Sequence, residues 1–155
     1  MKVVNARDVE ERRFEKEGRL GFGKEISEAL GRKPASTDLV ERHPFDVEIL
    51  RVPAGATPYR YHSHSAQWEF YYVLSGSGTV RHEGGRTRTT AGDAFLFKPG
   101  EAHQLVNDGN EEWTLMVVAD NPVGESYHYP DDAMWIVNSP ERRYVVAHPE
   151  RESQR

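Results

Sequence analysis

Cysteine is absent from the 155 residues. The chain therefore has no disulfide staple, no thiolate nucleophile and no thiolate zinc site. Its length is ordinary for one domain and sufficient to bury a core without such crosslinks. No stretch approaches the roughly 20 apolar residues of a membrane span. The opening MKVVNARDVEERRFEKEG is charged throughout and lacks the apolar run of a signal peptide. These absences lead us to expect a soluble cytoplasmic protein. A concentrated basic face is missing as well. The 20 basic and 25 acidic residues are mixed along the chain and leave a net charge of -5. That argues against nucleic acid as a partner. ERRY, around Arg142 and Arg143, is the nearest approach to a basic cluster and reads as a solvated surface.

Helix signals are scarce, and the chain divides into three parts. Residues 1–45 form a polar arm broken by Gly18, Gly21, Gly23, Gly31 and Pro34, with one short helical turn suggested by Ile26, Ala29 and Leu30. Residues 46–120 alternate short β-branched and aromatic runs with Gly, Pro, Asn and Asp punctuation. DVEILRV, WEFYYVLSG, GTVRHE, RTRTT, AFLF, HQLVN and EEWTLMVVAD read as strands, with a tight turn at Gly84-Gly85. Strands this short, with no helices between them, predict an all-β sandwich or barrel rather than a parallel βαβ sheet. Residues 121–155 add two short strands, at Met134–Val137 and Tyr144–Val146, and a frayed polar tail, HPERESQR. The arm and this extension are expected to cover open barrel edges or a second subunit.

The chemistry starts at Arg60-Tyr61-His62-Ser63-His64. Residues two apart on a strand share a face, so His62 and His64 project together. Glu69 has the opposite parity, and a turn at Ser65-Ala66-Gln67 would bring it back. His103 lies on a later strand, with Asn107 on the same face. Three imidazoles and one carboxylate suit a divalent ion of the Mn, Fe, Co, Ni, Cu or Zn group. Such a set leaves positions open for water or substrate.

The segment GATPYRYHSHSAQWEFYYVLSG resembles the first motif of the cupin superfamily. Four residues separate His64 from Glu69, and six separate Glu69 from Gly76. GDAFLFKPGEAHQLVN resembles the second motif, with Gly92, Asp93, Gly100, His103 and Asn107 in place and Pro99 displaced by one. The resemblance implies a double-stranded β-helix, the jelly-roll barrel, over residues 46–120. It implies metal ligation by His62, His64, Glu69 and His103, turn roles for the glycines and Asp93, and a structural or pocket-lining role for Asn107.

Strand parity turns Arg60 inward with the histidines, where a guanidinium would favour an anionic substrate. Parity likewise turns Tyr71 and Val73 inward with Glu69, and Tyr71 is either a hydrogen-bond donor to substrate or a core aromatic. Parity does not decide which face of AFLF lines the cavity. His43, His82, His128 and His148 match no ligand spacing, although YHYPDD could fold over a barrel mouth. Asp131 and Asp132 read as a solvated turn. The leading expectation is a metal-dependent enzyme acting on a small organic acid, with dioxygenase, decarboxylase or lyase, and isomerase chemistry all open. The alternatives are a non-catalytic binding or sensor module and a metal-free barrel. A homodimer is expected, since barrel edges must be covered.

Overall fold

The computed structural model describes residues 1–138 and 143–147. Its strands are β1 Arg12–Lys16, β2 Arg19–Glu25, β3 Phe45–Val52, β4 Ser63–His64, β5 Glu69–Ser75, β6 Ser77–His82, β7 Gly85–Thr90, β8 Ala94–Phe97, β9 His103–Val106, β10 Trp113–Asp120, β11 Glu125–Tyr129, β12 Met134–Asn138 and β13 Arg143–Ala147. Two short helices, α1 Ile26–Leu30 and α2 Leu39–Arg42, and one 3-10 turn at Pro130–Asp132 complete the described elements. No helix among the described residues is long and apolar enough to cross a membrane. The tail from His148 onward and Arg142 lie outside the described residues.

One layer is a six-stranded sheet in the order β1-β2-β3-β10-β5-β8. The facing layer consists of a four-stranded piece, β13-β12-β11-β4, and a three-stranded piece, β7-β6-β9. An antiparallel bridge between His62 and His103 joins the two pieces. Every strand pairing is antiparallel, and the architecture is the expected double-stranded β-helix. The arm departs from the sequence reading, because β1 and β2 form a hairpin that extends the large sheet beyond β3. Its glycines hid that hairpin. At Gly21, an added Cβ would sit 2.4 Å from the Phe14 ring across the pair, so glycine there makes room for an aromatic side chain.

Register sets the interior in rows. Gly23, Leu50, Leu115 and Val73 lie opposite one another across β2, β3, β10 and β5. The next row is Glu25, Glu48, Val117, Tyr71 and Phe95, and the one beyond is Asp46, Ala119, Glu69 and Phe97. The first row belongs to a closed apolar core with Val52, Val80, Leu105 and Trp113. The other two carry acids. Asp46, Glu48, Glu69 and Ala119 line cavities, while Tyr71 and Val117 line them and also join the apolar core. Burying several aliphatic side chains and a tryptophan contributes about 2 kcal/mol each, so the apolar end holds the barrel together without help from the polar end.

Turn chemistry fits the motif glycines. Gly76, between β5 and β6, has φ of 73°, and a Cβ there would meet the Glu112 carbonyl oxygen at 2.0 Å. Asp93 accepts hydrogen bonds from the Thr90 amide at 2.8 Å and from the Thr90 hydroxyl at 3.2 Å. Asn107 is structural: its amide donates to the carbonyls of Val52 and Glu111, and its oxygen accepts from the Gly109 amide. AFLF turns Phe95 and Phe97 inward, where Phe95 stacks on Tyr71 and Phe97 on His103.

Candidate metal centre

His62 precedes β4, His64 ends it, Glu69 opens β5 and His103 opens β9. Backbone hydrogen bonds from His62 N to His103 O and from His103 N to His62 O, 3.0 and 2.8 Å long, clamp two of these residues side by side. The turn that resets the phase between His64 and Glu69 is held by the C-terminal extension. Glu125 accepts hydrogen bonds from the amides of Ser65 and Gln67, at 2.8 and 2.9 Å. Asp120 accepts from the Trp68 amide at 2.8 Å. Nothing in the motif spacing pointed to Glu125 or Asp120.

One ligand atom from each of His62, His64 and Glu69 lies within 4.8 Å of the other two. His62 Nε2 stands 3.1 Å from His64 Nε2, and His64 Nε2 stands 3.5 Å from Glu69 Oε2. His103 falls outside that tight trio and joins it through Glu69, with its Nε2 2.8 Å from Glu69 Oε2. Tyr71 takes the core-aromatic role. Its ring sits in the apolar core, and its hydroxyl donates to Glu69 Oε2 at 3.1 Å and lies 3.4 Å from His103 Nε2.

The imidazoles suit a metal. His62 Nδ1 faces the Arg60 carbonyl at 2.8 Å, and His103 Nδ1 faces the Glu101 carbonyl at 3.2 Å. A carbonyl only accepts, so both Nδ1 atoms carry a proton and His62 Nε2 presents a lone pair, while His103 Nε2, 2.8 Å from the Glu69 carboxylate, shares a proton with it that a metal would replace. His62 Nε2 and His64 Nε2, 3.1 Å apart, need a shared cation or a proton between them. His64 Nδ1 is buried with no hydrogen-bond partner, so only its Nε2 engages the cluster. Burial pushes the His62 imidazole down to about 4, with the neighbouring His103 adding to the effect, and burial lowers His64 too. Neutral imidazole is the ligating form. Burial opposes ionisation of Glu69, but the His103 hydrogen bond and the flanking imidazoles outweigh it and hold the carboxyl at about 2. His62 and His64 therefore present neutral nitrogen donors beside the Glu69 carboxylate, a set that suits a divalent transition metal.

The cluster opens into a cavity of about 1000 Å³ lined by Phe14, Tyr59, Tyr127, Tyr129, Met134 and Ile136 among others. A second cavity of about 700 Å³ meets it at Glu48, Glu69, Val117 and Tyr127. YHYPDD does reach the mouth. Tyr127 packs edge-on against His64 at 5.0 Å, and Tyr129 stacks on His62 at 6.1 Å. His128 points the other way and stacks on Trp135.

Arg60 lines the cavity rim rather than its floor, and its guanidinium is held by Glu17 and Asp132. Asp131 grips Arg81 through two hydrogen bonds of 2.6 and 2.8 Å. The turn expected to be merely solvated is thus a pair of ionic latches. Glu48 is a cavity residue that the sequence reading passed over. Its signal was there: it shares strand parity with the buried Leu50 and Val52, an acid on the apolar side of β3.

A family model described as the cupin domain matches residues 48–119. An oxalate-binding protein of Thermotoga maritima is 30% identical over 69 residues, which are 44% of this chain and 56% of that protein. The matched stretch thus spans just over half the length of that relative. A solved sugar phosphate isomerase of Silicibacter pomeroyi shares the fold at TM-score 0.79, with 22% identity over 94% of this chain and 92% of that one. An Acidithiobacillus ferrooxidans structure described as a candidate sugar phosphate isomerase does so at TM-score 0.80, with 21% identity over 99% of this chain and 96% of that one. Two ordered motifs, the double-stranded β-helix and the family match converge on one conclusion: residues 48–119 of this chain are a cupin domain.

Proposed function

We propose that this cupin is a metal-dependent enzyme whose single divalent transition metal is held by His62, His64, Glu69 and His103, and that it isomerises a small, hydroxylated, anionic substrate. The observation that carries the reading is the convergence of bare imidazole nitrogens and an ionised carboxylate on one point inside a cavity. A bound metal would polarise a substrate oxygen as a Lewis acid. The chain's own residues supply the rest. The Tyr71 hydroxyl orients the Glu69 carboxylate. Aromatic walls from Tyr59, Tyr127 and Tyr129 exclude water. Arg13, Lys16, Arg19 and Arg60 on the cavity lining favour entry of an anion.

Isomerisation is preferred to the other reactions on size and likeness. A cavity of about 1000 Å³ far exceeds what a two-carbon acid fills. The proteins similar over nearly the whole chain are described as sugar phosphate isomerases. A second reading, a non-catalytic binding cupin, draws support from the oxalate-binding relative. The test is metal analysis of untagged protein, followed by turnover of a panel of sugar phosphates and organic acids under air and under nitrogen. Oxygen-independent isomerisation supports the proposal. Stoichiometric metal with ligand binding but no turnover supports the second reading. A wild type that retains none of the six metals after reconstitution overturns both.

The proposal extends to a homodimer. Phe14 of the arm and Ile136 of the extension pack within the chain, and Trp135 stacks on His128. The outer face of the large sheet is instead the candidate. Val47, Val118, Phe70 and Leu96 form one row across it, and Ile49, Met116, Tyr72 and Ala94 form the next. Strands apolar on both faces are built to be covered on both. The apolar surface there is on the order of 500 Å², against the roughly 800 Å² per partner of a standard interface. A sedimentation mass near 17.7 kDa at micromolar concentration would contradict the dimer.

A further inference from the structure

Glu48 is a half-buried carboxyl with no assigned work. It lies at the junction of the two cavities, and none of the hydrogen bonds among the described residues reaches it. Its carboxyl leans over Gly23 of β2, where an added Cβ would lie 2.2 Å from Oε1. A glycine thus keeps open the space the carboxyl occupies. The charged groups acting on it are Glu25 from β2, Asp46 from its own strand and Glu69 from β5, all acids. The buried Tyr59, from the segment before β4, is influenced by Glu48 in turn.

We propose that Glu48 is a substrate-recognising carboxyl on the far side of the metal cavity, donating a hydrogen bond to an uncharged oxygen of a hydroxylated carbon chain whose other end lies at His62, His64 and Glu69. This rests on the metal-dependent reading above. Three observations carry it. Glu48 on β3 is two strands from β5, with Val117 of β10 between them, which places the two backbones about 10 Å apart. Its lean toward β2 takes the carboxyl away from Glu69, so a two-carbon acid cannot touch both, whereas a five-carbon sugar phosphate can. Surrounding acids repel an anionic group, so the oxygen that meets Glu48 is a hydroxyl or carbonyl. The phosphate belongs at the rim, near Lys16, Arg19 and Arg60. Burial first, and then the neighbouring Glu25, Asp46 and Glu69, hold the Glu48 carboxyl up at about 8, so it keeps a proton to donate at neutral pH.

The experiment uses full-length wild type, Glu48→Gln and Glu48→Ala, each reconstituted with the metal the wild type retains. Metal content is measured by mass spectrometry and folding by thermal melting. The probes are ribose 5-phosphate and oxalate, titrated by calorimetry. At pH 7, Glu48→Ala should weaken ribose 5-phosphate about tenfold, the worth of a buried hydrogen bond, and Glu48→Gln, whose amide also donates, by less than about threefold. Oxalate affinity should be the same in all three. Between pH 7 and 9 the wild type should lose affinity for ribose 5-phosphate while Glu48→Gln stays flat. Equal ribose 5-phosphate affinity in all three proteins overturns the proposal, as does a parallel loss of oxalate affinity. Metal-loaded wild type that fails to bind ribose 5-phosphate at millimolar concentration also overturns it and leaves the metal centre standing. Absence of metal from the wild type overturns the metal centre itself, and this proposal with it.

Discussion

The two ends of the barrel interior are lined by the same strands and have opposite characters. At one end, Leu50, Val73, Leu115 and Trp113 are fully buried and close on one another. Toward the other, moving along β3, β5 and β10, the inward positions become Glu48, Glu69, Tyr71 and Ala119, and a cavity opens. The apolar end supplies stability with no chemistry. The polar end gathers acids and imidazoles whose burial costs stability, and it depends on the first for its geometry. Separating the two within single strands lets a short chain hold a polar cluster beside a packed core.

The sharpest way to break that division is to damage each end and ask what the other loses. Trp113→Ala should cost about 3–5 kcal/mol in urea unfolding while the protein that remains folded still binds metal. His62→Ala should do the reverse. Metal affinity should fall by more than about 100-fold, beyond the loss typical of outer partners, while melting of the metal-free protein is no lower than that of metal-free wild type. A tryptophan variant that lost metal without unfolding, or a histidine variant that unfolded, would show that the two ends are not separable.

A third test turns on protons. The folded Glu48 carboxyl is pushed up to about 8, against 4.5 for a free carboxyl. A raised acid means that the native state binds the proton more tightly, so its contribution to stability falls as pH rises from about 4.5 to 8. Glu48→Gln removes that loss and should raise stability at pH 8 by about 2 kcal/mol, a melting rise of roughly 5 °C, with little change at pH 4.5. Unchanged melting across this range would mean that the carboxyl is solvated. The imidazoles run the other way. With His62 held down at about 4, metal retention should fall as pH drops from about 6.5 toward 4, and Glu69, at about 2, should be the last ligand to protonate.

Smaller effects sharpen the boundary of the site. Tyr71→Phe removes the hydroxyl that meets Glu69 and His103 and should weaken metal binding about tenfold, while costing under 1 kcal/mol of stability. Arg60→Ala breaks two partly exposed ion pairs, with Glu17 and Asp132, and should cost no more than about 1 kcal/mol. Metal content should be unchanged in that variant, and affinity for anionic probes should fall only a few-fold.

Local pattern was enough for the strands of residues 46–120, because alternation, turn residues and short spacing act within a few positions. It was also enough for the metal-ligand expectation, since two near-complete motifs carry His62, His64, Glu69 and His103 in order. Parity alone turned Tyr71 and Val73 inward and set Asn107 on the face of His103, and all of these are buried. The β1–β2 hairpin was not legible, because its glycines answer to Phe14 and Glu48, neighbours known only after folding. The face of AFLF stayed open for a similar reason: both faces are apolar, and only packing against Tyr71 and His103 chose Phe95 and Phe97. Arg60 obeyed parity as far as the rim and was then captured by Glu17 and Asp132, from two other parts of the chain. Glu125 clamps the ligand turn from about 60 positions away. Distances of that kind have no periodicity to betray them. The sequence determined which residues can bind a metal and which face of each strand they occupy, since both follow from side-chain chemistry and a two-residue repeat. Only the tertiary structure decided what surrounds them, because burial, the charge on Glu48 and the reach of the cavity are set by contacts between strands far apart in the chain.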